Sequence, residues 1–250
     1  AARQIMAQNG WANAEGCITA EGLKQVREKI LSFKHVNELS ISGLKGGHSG
    51  VNIHLGRGNA NKLLARFFAG HAKELGIAIS QLQGGSLRNA IPREAQCSFT
   101  LPVAQLDLLQ QRVAQFQTIL QTELAATEPN LRLSINDCTA PEKVLQANSQ
   151  QQLIQLINAC PNGVMRMSDE VTGVVESSLN VGVVSTSADH VSVICMVRSL
   201  IDSGRAYIES QLQSLCELAG AHVQFEGCYP GWKPDNNSPV MAIVKDTYES

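Results

Sequence analysis

The sequence predicts an α+β fold: two ferredoxin-like (βαββαβ-type) subdomains whose antiparallel sheets are covered by helices on one face. Three observations predict it. Apolar residues switch between a period of two and a helical period in the order β-α-β-β-α-β over roughly the first half of the readable chain. Much of that order returns in the second half. The runs are short and are punctuated by Gly-rich turns.

The first strand is read from Leu39 and Ile41, which alternate with Glu38, Ser40 and Ser42 before the Gly-rich turn at 43–50. A helix follows, with Asn59 as cap, Leu63, Leu64, Phe67, Phe68 and Leu75 on one face, and Gly76 as a left-handed stop. Residues 77–82 read as a strand. Residues 94–101 alternate polar and apolar without a slip and give the clearest strand of the chain. Leu106, Leu109, Val113, Phe116, Leu120 and Leu124 then form a helical stripe, and Leu131, Leu133 and Ile135 a last alternating strand.

In the second half a helix is expected at 150–159, strands at 174–184 and 190–197, a helix at 204–218 and a strand at 221–225. The counterpart of the initial strand is missing or disguised. Ser86-Leu87-Arg88-Asn89 and Ser177-Ser178-Leu179-Asn180 take like places in the two halves, which suggests two related units meeting near 136–150. The Pro/Gly-rich run 229–235 cannot continue a sheet, and Ser238-Pro239 opens a new helix at 240–248 that has no evident core partner. The expected division is an unplaced segment 1–38, subdomains at 39–136 and 137–228, and a return segment 229–250 leading into another domain.

Composition excludes several classes. A 250-residue chain with 44% hydrophobic and 17% charged residues can bury a core. Its net charge of −2 and scattered basic residues offer nothing to nucleic acid or to an anionic membrane surface. No apolar run reaches membrane-spanning length and the start lacks a secretory core, so a cytoplasmic location is expected. Seven cysteines, an odd number without a Cys-x-x-Cys pair, read as reduced, with Cys97 and Cys195 in apolar strand patterns.

The six histidines do not cluster with acidic residues as metal hydrolysis requires, and Asp169-Glu170 has no histidine beside it. His35, His71 and His222 read as ordinary solvated or satisfied residues. His48 differs, because the glycines of Gly46-Gly47-His48-Ser49-Gly50 leave its imidazole prominent at a strand end, where it either meets a substrate or bonds its own backbone. Arg198 ends an apolar strand with a planar guanidinium suited to a carboxylate, or to a salt bridge with Asp202 or Glu176.

A run of motifs adds to this reading. Gly43-Leu44-Lys45-Gly46-Gly47-His48-Ser49-Gly50, Gly58-Asn59-Ala60-Asn61-Lys62-Leu63-Leu64, Arg88-Asn89-Ala90-Ile91-Pro92-Arg93, Pro161-Asn162-Gly163-Val164, Val175-Glu176-Ser177-Ser178-Leu179-Asn180, Arg198-Ser199-Leu200-Ile201-Asp202-Ser203-Gly204 and Tyr229-Pro230-Gly231-Trp232 stand in register. Together, from about Leu39 to Tyr248, they resemble the lid region of aminoacyl-histidine dipeptidases, metallopeptidases of the M20 family.

That resemblance implies a cytosolic zinc-dependent hydrolase with two metals, in which the lid closes over an Xaa-His dipeptide held against a catalytic domain of the same polypeptide; it also allows a homodimer. It implies that His48 stabilises the oxyanion formed as water attacks the carbonyl, that Arg198 takes the substrate's carboxylate, and that Asn89 or Asn180 orients the substrate. The metal-binding strands, the acidic base and the last metal histidine of such enzymes have no counterpart in these 250 residues, so no metal is expected on this chain. The competing reading is a non-catalytic ferredoxin-like module for small-molecule binding or dimerisation.

Overall fold

In a computed structural model, the residues described are 34–139, 141, 143–187, 189–232 and 238–249. The expected unplaced segment lies outside them except for 34–38, which belong to the first strand. The strands are β1 (Lys34–Ser42), β2 (Gly47–His48), β3 (Ala78–Gly84), β4 (Ala90–Ile91), β5 (Ala95–Pro102), β6 (Arg132–Asp137), β7 (Gly163–Met167), β8 (Val175–Thr186) and β9 (Val191–Ser199). The helices are α1 (Ala60–His71), α2 (Leu106–Glu123), α3 (Ala147–Ala159), α4 (Asp202–Leu218) and α5 (Pro239–Glu249).

The α+β class with an antiparallel sheet and helices is the one predicted. In the first half β1, α1, β3, β5, α2 and β6 form a complete βαββαβ unit with strands in the order β6-β1-β5-β3. Its register places Leu39 opposite Cys97 and Ile135, and Ile41 opposite Ala95 and Leu133, so every apolar partner faces one side. The opposite side carries Glu38, Ser40, Gln96, Ser98 and Ser134.

α1 starts where expected: the Asn59 side chain accepts a hydrogen bond from the Lys62 N–H at 3.2 Å. Its Phe67 and Phe68 are fully buried, Phe68 meeting Phe99 of β5 edge-on with centroids 5.6 Å apart. Gly76 adopts φ +63°, closing the turn after the helix as its position predicted.

The second half departs from expectation in detail. Its described elements run α3, β7, β8, β9, α4, with β8 between β7 and β9, so its strand order differs from that of the first half. The strand expected at 221–225 does not form. These residues are mostly exposed and pair with no strand, and an alternating pattern becomes a strand only when a partner satisfies its backbone. β7 had gone unread because Gly163-Val164-Met165-Arg166-Met167 does not alternate.

The two halves share one seven-stranded sheet, joined where Gln83 pairs with Ser185 and Gly84 with Val184. The junction is reinforced by Thr186, whose hydroxyl accepts from the Leu82 N–H and donates to the Leu82 carbonyl, and by Gln150, whose side chain holds Ile79 N–H and Ile77 C=O. Lys62 on α1 donates to the carbonyls of Ile157, Asn158 and Cys160 at the end of α3. A cation there complements the helix dipole, while burial lowers the ammonium's pKa from its ordinary value. α1, α3 and α4 therefore form one layer over one continuous core. The expected helix after Ser238 is α5, whose Val240, Ile243, Val244 and Tyr248 are exposed.

Candidate functional site

The loop after β1 holds His48 through its own backbone. Gly47 has φ +141°, and a Cβ there would lie 2.5 Å from Arg57 Nη1 and 2.8 Å from Asn52 Oδ1, so only glycine fits. The Asn52 carboxamide accepts from His48 N–H at 2.9 Å. Glu128, only 1% exposed, accepts from the N–H groups of Lys45 and Gly58 and anchors the loop from below. Nothing in the sequence pattern signalled that carboxylate.

The His48 ring is exposed, and its Nδ1 accepts from the N–H groups of Gly50 at 3.2 Å and Val51 at 3.1 Å. The histidine thus does bond its own backbone. An Nδ1 that accepts two hydrogen bonds carries no proton, so the neutral ring keeps its hydrogen on Nε2, the free edge. The result is an outward-facing, oriented donor.

Arg198 comes from the other half of the sheet, on β9 opposite Ser178 of β8. A Cβ placed on Gly50 would lie 3.2 Å from His48 Cε1 and 3.3 Å from both Cδ and Nε of Arg198. The fold thus brings His48 and Arg198 together across Gly50, from positions 150 residues apart in the chain. The alternative ion pairs are occupied otherwise: Glu176 binds Arg166 at 3.0 Å, and Asp202 accepts from the Gly231 N–H at 3.0 Å. Arg198 Nε is buried without a hydrogen-bond partner among the described residues.

The two asparagines sit differently. Asn89 is exposed on the turn before β4, and its carbonyl accepts from the Ser49 N–H at 2.9 Å, which sets it beside the His48 loop. Asn180 is 0% exposed on β8 and belongs to a buried amide network with Asn59 and Asn162. Asn162 Oδ1 also accepts from the Val181 N–H, a structural role for the Pro161-Asn162-Gly163 motif that the sequence pattern alone did not reveal.

The remaining histidines stay apart. His35 pairs with Asp137, His71 packs on Phe67, and His190 bonds Asp189 and Ser187 at the β8–β9 hairpin. Among the described residues no group of three His, Cys, Asp or Glu side chains could hold a metal ion. Nor is any helix among them long and apolar enough to cross a membrane. A groove lined by Met165, Arg166, Glu176, Tyr207 and Ile208 includes none of His48, Asn89 and Arg198, of which His48 and Asn89 are exposed and Arg198 is half-buried.

The fold thus sets the His48 imidazole and the Arg198 guanidinium on either side of Gly50, with the backbone of Asn89 tied to the same loop. Residues 39–128 match the M20 peptidase dimerisation domain. Over 223 residues the chain is 50% identical to the cytosol non-specific dipeptidase of Escherichia coli (strain K12), covering 89% of this chain and 46% of that protein. Its structure matches the crystal structure of aminoacylhistidine dipeptidase from Vibrio alginolyticus with a TM-score of 0.84 and 52% identity, over 87% of this chain and 44% of that one. The resemblance read from the motifs is therefore the right one, and the chain spans less than half the length of these relatives.

Proposed function

We propose that this chain is the substrate-closing lid of a zinc-dependent dipeptidase that hydrolyses Xaa-His dipeptides in the cytoplasm, acting with a catalytic domain of the same polypeptide. The observation that supports it most is the meeting of His48 and Arg198 across Gly50. In this reading the His48 Nε2–H donates to the carbonyl oxygen as it gains charge, a donation worth most in the transition state. The Arg198 guanidinium takes the substrate carboxylate, and Asn89 orients the dipeptide. Residues 39–136 and 137–228 would act as two lid subdomains sharing one sheet, and 229–250 as the return toward the catalytic domain.

The described residues offer no donor set for zinc, so the two metals implied by the family would have to be bound elsewhere in the polypeptide. A homodimer through the lid is part of the proposal, supported by the description of the matching domain. The test is hydrolysis of β-alanyl-histidine by the full-length polypeptide supplied with zinc. Activity that falls on substitution of His48 and Arg198 supports the reading. Activity indifferent to both would leave the non-catalytic binding or dimerisation module.

A further inference from the structure

We infer that Asn180 is a positioning residue: it locks the turn that bears Asn89 onto β8 and thereby fixes Asn89 relative to His48 and Arg198. The inference rests on the substrate-site reading above for its kinetic consequence, though not for its geometry.

All the polar atoms of Asn180 are used inside the protein. Its amide nitrogen donates to the carbonyls of Arg88 at 3.1 Å and Ala90 at 2.8 Å, the two residues flanking Asn89, and its Oδ1 accepts from Asn59 Nδ2 at 3.4 Å. A side chain so buried, with its amide group donated inward, presents nothing to a ligand at the surface. The backbone tells the same story independently. A Cβ on Gly182 would lie 2.7 Å from the Arg88 carbonyl oxygen, and one on Gly85 would lie 1.9 Å from that of Gly182, so the whole 85–90 turn lies flush on β8.

From this anchor the site is keyed in two directions. The Asn89 carbonyl receives the Ser49 N–H, and Gly47 and His48 pair with Ile91 and Ala90, which ties the His48 loop to the same turn. In the other direction Ser178, two residues along β8, is the register partner of Arg198. One buried carboxamide thus ties together the two strand systems that carry the three candidate groups.

The experiment uses the full-length zinc-loaded enzyme, with hydrogen exchange and kinetics on Asn180→Ala, Asn89→Ala and the double variant. Loss of two donated hydrogen bonds should speed exchange about tenfold or more at Ser49 and Ala90 while leaving Leu39 and Phe99 unchanged. KM should rise with a smaller change in kcat, and Asn180→Ala should add nothing to KM in the Asn89→Ala background, since it acts through that residue. Asn180→Asp, which keeps the shape and, held neutral by burial, one donor, should loosen the turn by an intermediate amount, and it carries the same comparisons if the alanine variant does not fold. Exchange that is unchanged at 47–52 and 87–91, or raised evenly across the lid, overturns the inference. Local loosening together with an unaltered KM in Asn89→Ala upholds the anchoring and sinks the substrate-site reading instead.

Discussion

His48 and Arg198 stand on either side of Gly50, close enough that a single added carbon would touch His48 Cε1 at 3.2 Å and Arg198 Cδ at 3.3 Å. One residue comes from a Gly-rich loop of the first half and the other from a strand of the second, so their meeting depends on the β3–β8 junction that fuses the halves into one sheet.

Gly50→Ala tests the gap itself. The methyl group must push the imidazole or the guanidinium aside by a few tenths of an ångström. In the full-length enzyme kcat/KM should fall about tenfold or more, with thermal stability changed little, as steady-state kinetics and a melting curve would report. Unchanged kinetics would mean that the two side chains need not keep this spacing.

His48→Ala removes a donor proposed to act mainly in the transition state. Turnover on an Xaa-His dipeptide should drop by about 10²-fold or more while KM moves less. Near-normal turnover would reduce His48 to a histidine that merely satisfies the backbone of its own loop.

Arg198→Ala should differ in kind, raising KM strongly and sparing kcat more, because a carboxylate contact exists in ground and transition states alike. Arg198→Lys should recover only part of the loss, since an ammonium lacks the planar two-pronged donor. A fall confined to kcat would contradict the assignment.

Glu128→Ala leaves the buried N–H groups of Lys45 and Gly58 without an acceptor. We expect a loss of about 2–4 kcal/mol in urea unfolding of this chain. Stability within about 0.5 kcal/mol of the parent would show that water replaces the carboxylate at no cost.

Much of this was legible in the sequence where local pattern and tertiary context agree. The Leu39/Ile41 alternation, the Asn59 cap, the Phe67/Phe68 face and the Gly76 stop each specify their element through short-range chemistry, and each is found. The strand at 221–225 failed because alternation states which face a strand would bury, never whether a partner edge exists. His48 and Arg198 could be singled out individually, by flanking glycines and by strand-end position. Their meeting across Gly50 could not, because it is set by the β3–β8 register of only two residue pairs. Asn89 and Asn180 look alike in sequence, each closing a tetrapeptide that opens with Ser, and only burial separates the exposed turn residue from the one inside β8. Glu128 follows a helix in a polar run with nothing to mark it.

The most direct test of the central claim compares zinc-supplemented hydrolysis of β-alanyl-histidine by this 250-residue chain and by the full-length polypeptide carrying it. Turnover is expected from the full-length protein and none from this chain, which should also retain no tightly bound zinc on metal analysis. Turnover by this chain alone, with one zinc held until a strong chelator removes it, would show that it is no mere lid, and a full-length protein that binds the dipeptide without cleaving it would rule out the dipeptidase.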